Sequence, residues 1–157
     1  MIFYLFWITL FAASAACAYM ISRADFRRRI IPDAYLLPLF LMGLITTTFF
    51  PNWVIDTATG VIGAVSGYIL GTGVGIIFEH IMLKKNKKAP APIGMGDIKL
   101  LSTVGIWLGT TGIAIALIVA CITGGIWARH KKQQFIPFAP FFVLGAILAL
   151  IAMTFLI

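Results

Sequence analysis

Two aspartates stand out as candidates for chemistry. Asp97 lies between glycines and a lysine in "APIGMGDIKL" (91–100), and Asp25 lies in the basic stretch "SRADFRRRIIPD" (22–33). Each borders a long apolar run, where a charge is costly unless it is paired or used. Two carboxyl groups a few ångströms apart cannot both ionise easily, so they share a proton and titrate as a pair. The ionised member can take a proton from water while the protonated member hydrogen-bonds a scissile carbonyl. That chemistry is peptide hydrolysis, and neither a cofactor nor a metal is expected for it. Gly94 and Gly96 suit such a site, because glycine lets a substrate backbone approach closely.

Each acidic residue alone also has a plainer reading. Asp25 reads as a solvated loop charge among arginines, and Asp97 as a helix cap. Asp33, after Pro32, reads as a helix-start residue. Lys99 is two positions from Asp97 and faces elsewhere on a helix, where it reads as a cation snorkelling to lipid phosphate. Glu79 and His80 read as a polar pair closing a helix.

The elements that must position these residues are membrane helices. The chain is 61% hydrophobic and only 11% charged, whereas soluble domains carry about a quarter charged residues. Mean hydropathy is +1.04. These values imply a single transmembrane domain over residues 1–157, all-α and polytopic. The net charge of +7 comes from loops between apolar runs, so it reports topology and contact with membrane lipid; no nucleic acid partner is expected. Cys17 and Cys121 each sit in an apolar run without a CxxC partner and read as small buried residues. No basic segment precedes the first apolar run, so it reads as a retained helix.

Apolar runs at 2–22, 34–50, 57–83 and 136–157 each predict one span. "PNW" (51–53) predicts a turn with an interfacial tryptophan, and "KKNKK" with "APAP" (84–92) a basic, proline-rich loop. In the third run Gly63, Gly67, Gly71 and Gly75 recur every four residues, a stripe for close helix approach. Glu79 continues that step and is expected near the packed face. The stretch 98–127 would measure about 45 Å as one helix, too long for a core of about 30 Å. A break at "GTTG" (109–112) makes two spans, the first beginning at Asp97. Two crossings also put all three basic clusters, around Arg27, Lys85 and Lys131, on one side, which the positive-inside rule names cytoplasmic. The expectation is about six transmembrane helices with both termini outside, Asp56 in an outer loop, and Asp25, Asp33 and Asp97 at the cytoplasmic face.

Three ordered stretches resemble the aspartic prepilin peptidases, the type IV leader peptidases of the GxGD intramembrane protease group. "ADFRRRIIPDAYLLPLFLMGL" (24–44) is similar to their first signature and "GMGDIKLLSTVGIWLG" (94–109) to their second. "IPFAPFFVLGA" (136–146) resembles the stretch that opens their last helix, with Ala139 where glycine is common. The resemblance covers nearly the whole chain. It implies that Asp25 and Asp97 are the catalytic pair, with Gly94, Gly96 and Lys99 as motif residues, Lys99 without an assigned role. It also implies a bacterial inner-membrane enzyme that removes the basic leader of a pilin or pseudopilin precursor at the cytoplasmic face. The larger members carry a preceding region with CxxC pairs. None precedes the first helix here, so peptidase activity without N-methylation is expected.

A basic leader is not drawn by the basic clusters themselves; anionic lipid attracts both partners. The substrate's apolar helix is expected to dock beside the glycine stripe. Two other classes compete. Presenilin-like GxGD proteases resemble longer chains with the first aspartate in mid-helix after a tyrosine, unlike Arg23-Ala24-Asp25. An ion-coupled carrier or channel would use Asp97 as its ion site, but no acid lies midway through any span.

Overall fold

The computed structural model describes residues 2–51, 54–84, 93–132 and 136–156. Among these, the chain forms five helices: α1 (Ile2–Arg28), α2 (Asp33–Phe49), α3 (Thr57–Lys84), α4 (Met95–Lys131) and α5 (Phe138–Leu156). Four of them, α1, α3, α4 and α5, are long and apolar enough to cross a membrane, and α2 is shorter at 17 residues. The expected turn at Asn52 and Trp53 lies outside the described residues, as does the loop from 85 to 92.

The count is five because residues 95–131 count as one element of 37 residues, although its backbone is non-helical at Gly109 and divides it into two helical arms. A straight helix would put Gly96 and Trp127 about 46 Å apart. Instead Gly96 lies against Ile31, and the rings of Trp127 and Phe26 meet edge-on with centroids 5.9 Å apart. Phe26 and Ile31 both belong to the α1–α2 junction, so α4 doubles back on itself. The reversal is at Gly109, with φ 65° and ψ −171°. That backbone conformation is open to glycine and strained for other residues.

α1 runs past the expected end at Ser22 to Arg28. A hydropathy reading stops at the first arginine, but a helix does not, since cations are favoured in its last turn. Arg29, at φ 55°, ends it in the left-handed conformation. Pro32 then precedes Asp33, which opens α2 as its sequence position suggested.

Close backbone contact joins α3 to the first arm of α4. A Cβ at Gly67 would sit 2.6 Å from the Leu101 carbonyl oxygen, and one at Gly60 would sit 2.7 Å from that of Ile106. Gly63 meets Gly105 backbone to backbone, and Gly71 rests on Ile98. The pairing order makes the two segments antiparallel. The glycine stripe therefore packs as expected through Gly71 and gains Gly60. It stops there among the described residues: a Cβ added at Gly75 would meet nothing within 4 Å outside its own helix backbone, and Glu79 is exposed. These two positions correct the sequence expectation. From Gly60 to Gly71 the stripe is covered by α4.

The second arm of α4 packs on α5, where Gly145 lies against Ala116 and Gly124 against Phe141. Ile21, Leu36, Leu100, Leu101, Ala116 and Phe142 are core residues between these helices. Toward the other end of α1, Trp107 donates its indole N–H to the Leu39 carbonyl at 3.0 Å. Gly43 makes room for that ring, since a Cβ there would come within 2.6 Å of Nε1. Cys17 is half-buried as a small packing residue, but Cys121 is exposed on α4, against expectation.

Asp56 caps α3: its Oδ1 accepts the Thr59 N–H at 3.2 Å. Hydrogen bonds from Thr59 hold this carboxyl below the usual aspartate range. A lowered folded-state value stabilises the protein above the unfolded value of about 3.9, and that contribution disappears as pH falls through the lowered one. Asn caps comparably without titrating. The difference in unfolding midpoint between wild type and Asp56→Asn should be constant above about pH 5 and change only at lower pH; a pH-independent difference would contradict this. For the helix contact, Gly63→Ala should lower stability by about 1–3 kcal/mol through overpacking. Gly75→Ala should raise it by up to about 1 kcal/mol, because it removes only a helix-weakening glycine. Thermal unfolding in detergent measures both.

Candidate active site

Asp25 sits in the last turn of α1 and is only 6% exposed. Its Oδ2 accepts the backbone N–H of Ala139 at 2.8 Å. The Phe138 backbone and the Arg29 charge also act on the carboxyl. The first N–H groups of a helix have no partner within it, and a carboxylate placed there satisfies them and suits the local dipole. The local logic is clear in "IPFAP": Pro137 sits just before α5 and Pro140 in its first turn, where a missing N–H costs nothing. The solvated-loop reading of Asp25 is thereby corrected.

Asp97 lies in the first turn of α4 rather than at its opening residue. Its Oδ2 accepts the Gly94 N–H at 3.0 Å, and its own N–H reaches the Gly94 carbonyl at 3.0 Å. This is half of a capping box; Gly94 has no side chain to return the bond. Capping and a chemical role are thus compatible, because the carboxyl that closes the helix is also within electrostatic reach of Asp25. α1, α4 and α5 therefore bring both sequence-derived aspartates to one place.

The two motif glycines do different jobs. A Cβ on Gly96 would lie 2.9 Å from Cβ of Ile31, so Gly96 lets the start of α4 rest on the α1–α2 junction. A Cβ on Gly94 would meet the Asp97 carboxylate at 3.3 Å. Lys99 does not reach toward lipid alone: its Nζ pairs with Asp33 Oδ2 at 2.6 Å. The pair ties the first residue of α2 to α4, just past Asp97. With side chains 40% and 66% exposed, it adds at most about 1 kcal/mol. Glu79 and His80 lie on the exposed end of α3.

The residue that sequence reasoning passed over is Ala139. It stands where glycine is common in the resembling stretch, its side chain is fully buried, and its N–H holds Asp25. The signal was present in the paired prolines, which mark a helix start, but nothing in the sequence says where that start points.

An all-helical chain with four helices fit to cross a membrane, and an aspartate pair at converging helix ends, is a membrane protein with an acidic site. The Type IV leader peptidase family matches residues 9–129, and the chain belongs to it. Relatives include the prepilin leader peptidase/N-methyltransferase of Xanthomonas campestris pv. campestris, 30% identical over 131 residues, covering 79% of this chain and 43% of that protein. That of Aeromonas salmonicida is 28% identical over 134 residues, covering 81% and 43%. That of Escherichia coli (strain K12) is 29% identical over 136 residues, covering 83% and 57%. The chain thus spans about half the length of these relatives. No solved structure gives a significant match.

The Asp25 contact predicts a difference between two substitutions. Asp25→Ala leaves the Ala139 N–H buried without an acceptor, a loss of about 1–3 kcal/mol. Asp25→Asn keeps an oxygen there. Thermal unfolding should rank Asn above Ala by that margin, and equal midpoints would contradict the contact.

Proposed function

We propose that this chain is a membrane aspartyl endopeptidase that removes the basic leader of pilin-type precursors, with Asp25 and Asp97 as its catalytic pair. The observation that carries the reading is the convergence of these two carboxyls, from distant positions, in a chain of the leader peptidase family. The relatives' names supply the substrate class, a prepilin. In the reaction one carboxylate takes a proton from water as the water oxygen attacks the scissile carbonyl carbon. The protonated partner hydrogen-bonds the carbonyl oxygen; as the C–N bond breaks, a proton passes to the leaving amine. Fixing one carboxyl on α5 and the other on its own helix end reduces the orientational cost of this step.

The proposed topology has six crossings, because the doubled-back α4 provides two arms and α2 one short span. It puts the basic clusters, both aspartates and the cut at the cytoplasmic side of a bacterial inner membrane, with both termini outside. Gly94 and Gly96 support the placement of Asp97. Lys99, through Asp33, supports the placement of α4.

Purified protein mixed with a prepilin in detergent should yield the leader-shortened product, with a bell-shaped pH profile from two coupled carboxyls. Asp25→Asn and Asp97→Asn should each reduce cleavage by at least about 10³-fold, the loss expected when one member of an acid–base pair is removed. Wild-type cleavage by either variant would overturn the pair. Absence of cleavage by the wild type would overturn the substrate class.

A further inference from the structure

α2 and α3 meet at the end of the bundle remote from the aspartates. There Thr57 donates its hydroxyl to the Thr47 carbonyl at 3.0 Å, and a Cβ at Gly60 would rest 3.4 Å from Cγ2 of Thr47. From that contact toward Asp33 the two helices leave a groove, floored by the first arm of α4. Two adjoining cavities occupy it, one of about 510 Å³ at the Asp33 end and one of about 380 Å³ beyond it. Phe40, Tyr68 and Ser102 line both.

The groove changes polarity along its length. At one end lies the ion pair of Lys99 with Asp33. Tyr68 and Ser102 come next. Among the described residues neither of their hydroxyls has a hydrogen-bond partner, whereas that of Thr103 is given to the Lys99 carbonyl. Beyond them the groove is lined by Leu44, Val61, Val65 and Ile106. Charge, then hydroxyl, then hydrocarbon is the order of headgroup, ester and tail in a bilayer lipid. The length agrees: Asp33 to Leu44 covers ~16 Å of helix, about half of a ~30 Å hydrocarbon core. The groove therefore matches one leaflet, while a partner's spanning helix would need the whole core. Leu37, Val65 and Tyr68 are exposed along it, so a lipid can enter sideways.

We propose that this groove is a binding site for one phospholipid with a zwitterionic, amine-bearing headgroup. The bond between Lys99 and Asp33 uses one of three ammonium donors and one of several carboxylate acceptor positions. The remaining donors suit a phosphate, and the remaining acceptors suit a primary ammonium. A headgroup of negative charge alone would meet the Asp33 carboxylate. Ser102 and Tyr68 are placed to donate to the ester oxygens, which in hydrocarbon have no water to bond. The tail fills the apolar end and packs α2 to α3 where the two helices do not touch. Nothing in this site depends on the peptidase chemistry.

The test titrates the full chain in detergent with dioleoyl phosphatidylethanolamine and, separately, with dioleoyl phosphatidylglycerol, and reads bound lipid by native mass spectrometry. One phosphatidylethanolamine should bind per chain, about tenfold more tightly than phosphatidylglycerol, the difference made by one hydrogen bond to a charged group. Asp33→Asn should erase that preference. Val65→Trp and Ser102→Phe, which fill the groove, should each weaken phosphatidylethanolamine binding by about tenfold or more, as displacing about two methylenes would. Ile76→Trp, on an exposed part of α3 outside the groove, should leave it at the wild-type value. Val65 is itself exposed, so its variant keeps the test open if Ser102→Phe fails to fold. Unchanged affinity in folded Val65→Trp overturns the site. Equal affinity of the wild type for the two lipids, or a preference that survives Asp33→Asn, overturns the headgroup assignment. A raised KM for a prepilin in Val65→Trp with lipid affinity unmoved overturns the lipid in favour of a peptide occupant.

Discussion

One hydrogen bond organises the site: the N–H of Ala139 to the Oδ2 of Asp25, 2.8 Å long and buried. A carboxyl removed from water must find donors or lose its charge. Here the donors come from the unsatisfied end of a helix more than a hundred residues later in the chain. The bond therefore fixes more than a side chain. It sets where α5 begins and which face of α1 turns inward. The start of α4 is placed beside the α1–α2 junction by a different contact, Gly96 against Ile31, and Asp97 there feels the Asp25 charge. An aspartate near the C-terminal end of its own helix is unfavourable there, and the opposed N-terminus of α5 offsets this.

The rest of the fold brings α4 to that point. Glycines on α3 let the carbonyls of α4 approach within side-chain distance, and Gly96 lets the first turn of α4 rest on Ile31. Gly109 reverses the chain so that its second arm returns to α1 and α5. Small residues thus do the positioning, while the acids do the proposed chemistry. This division is expected in lipid, where close packing replaces the hydrophobic effect as the cause of helix association.

Much of this was legible in the sequence. The apolar runs found every helix, and the excess length of 98–127 located the reversal at its glycines. Asp25 and Asp97 were found because charge is conspicuous in apolar sequence. The misses share one cause: local pattern does not report partners. The first arginine hid the last turn of α1, because hydropathy falls where the helix continues. Lys99 read as a lipid contact because Asp33 is close only in space. Gly75 extended a stripe by arithmetic that the neighbouring helix does not follow. Ala139 looked incidental because its part is played by a backbone N–H that every residue but proline carries.

The central claim is that Asp25 and Asp97 form one coupled site. Infrared titration of carboxyl bands in the wild type, Asp25→Asn and Asp97→Asn tests it most directly. The account predicts that the wild type shows two linked protonation steps, and that removing either aspartate leaves its partner titrating in a single step at a different pH. If each aspartate instead titrates at the same pH with or without the other, the two do not share a site, and the account is contradicted.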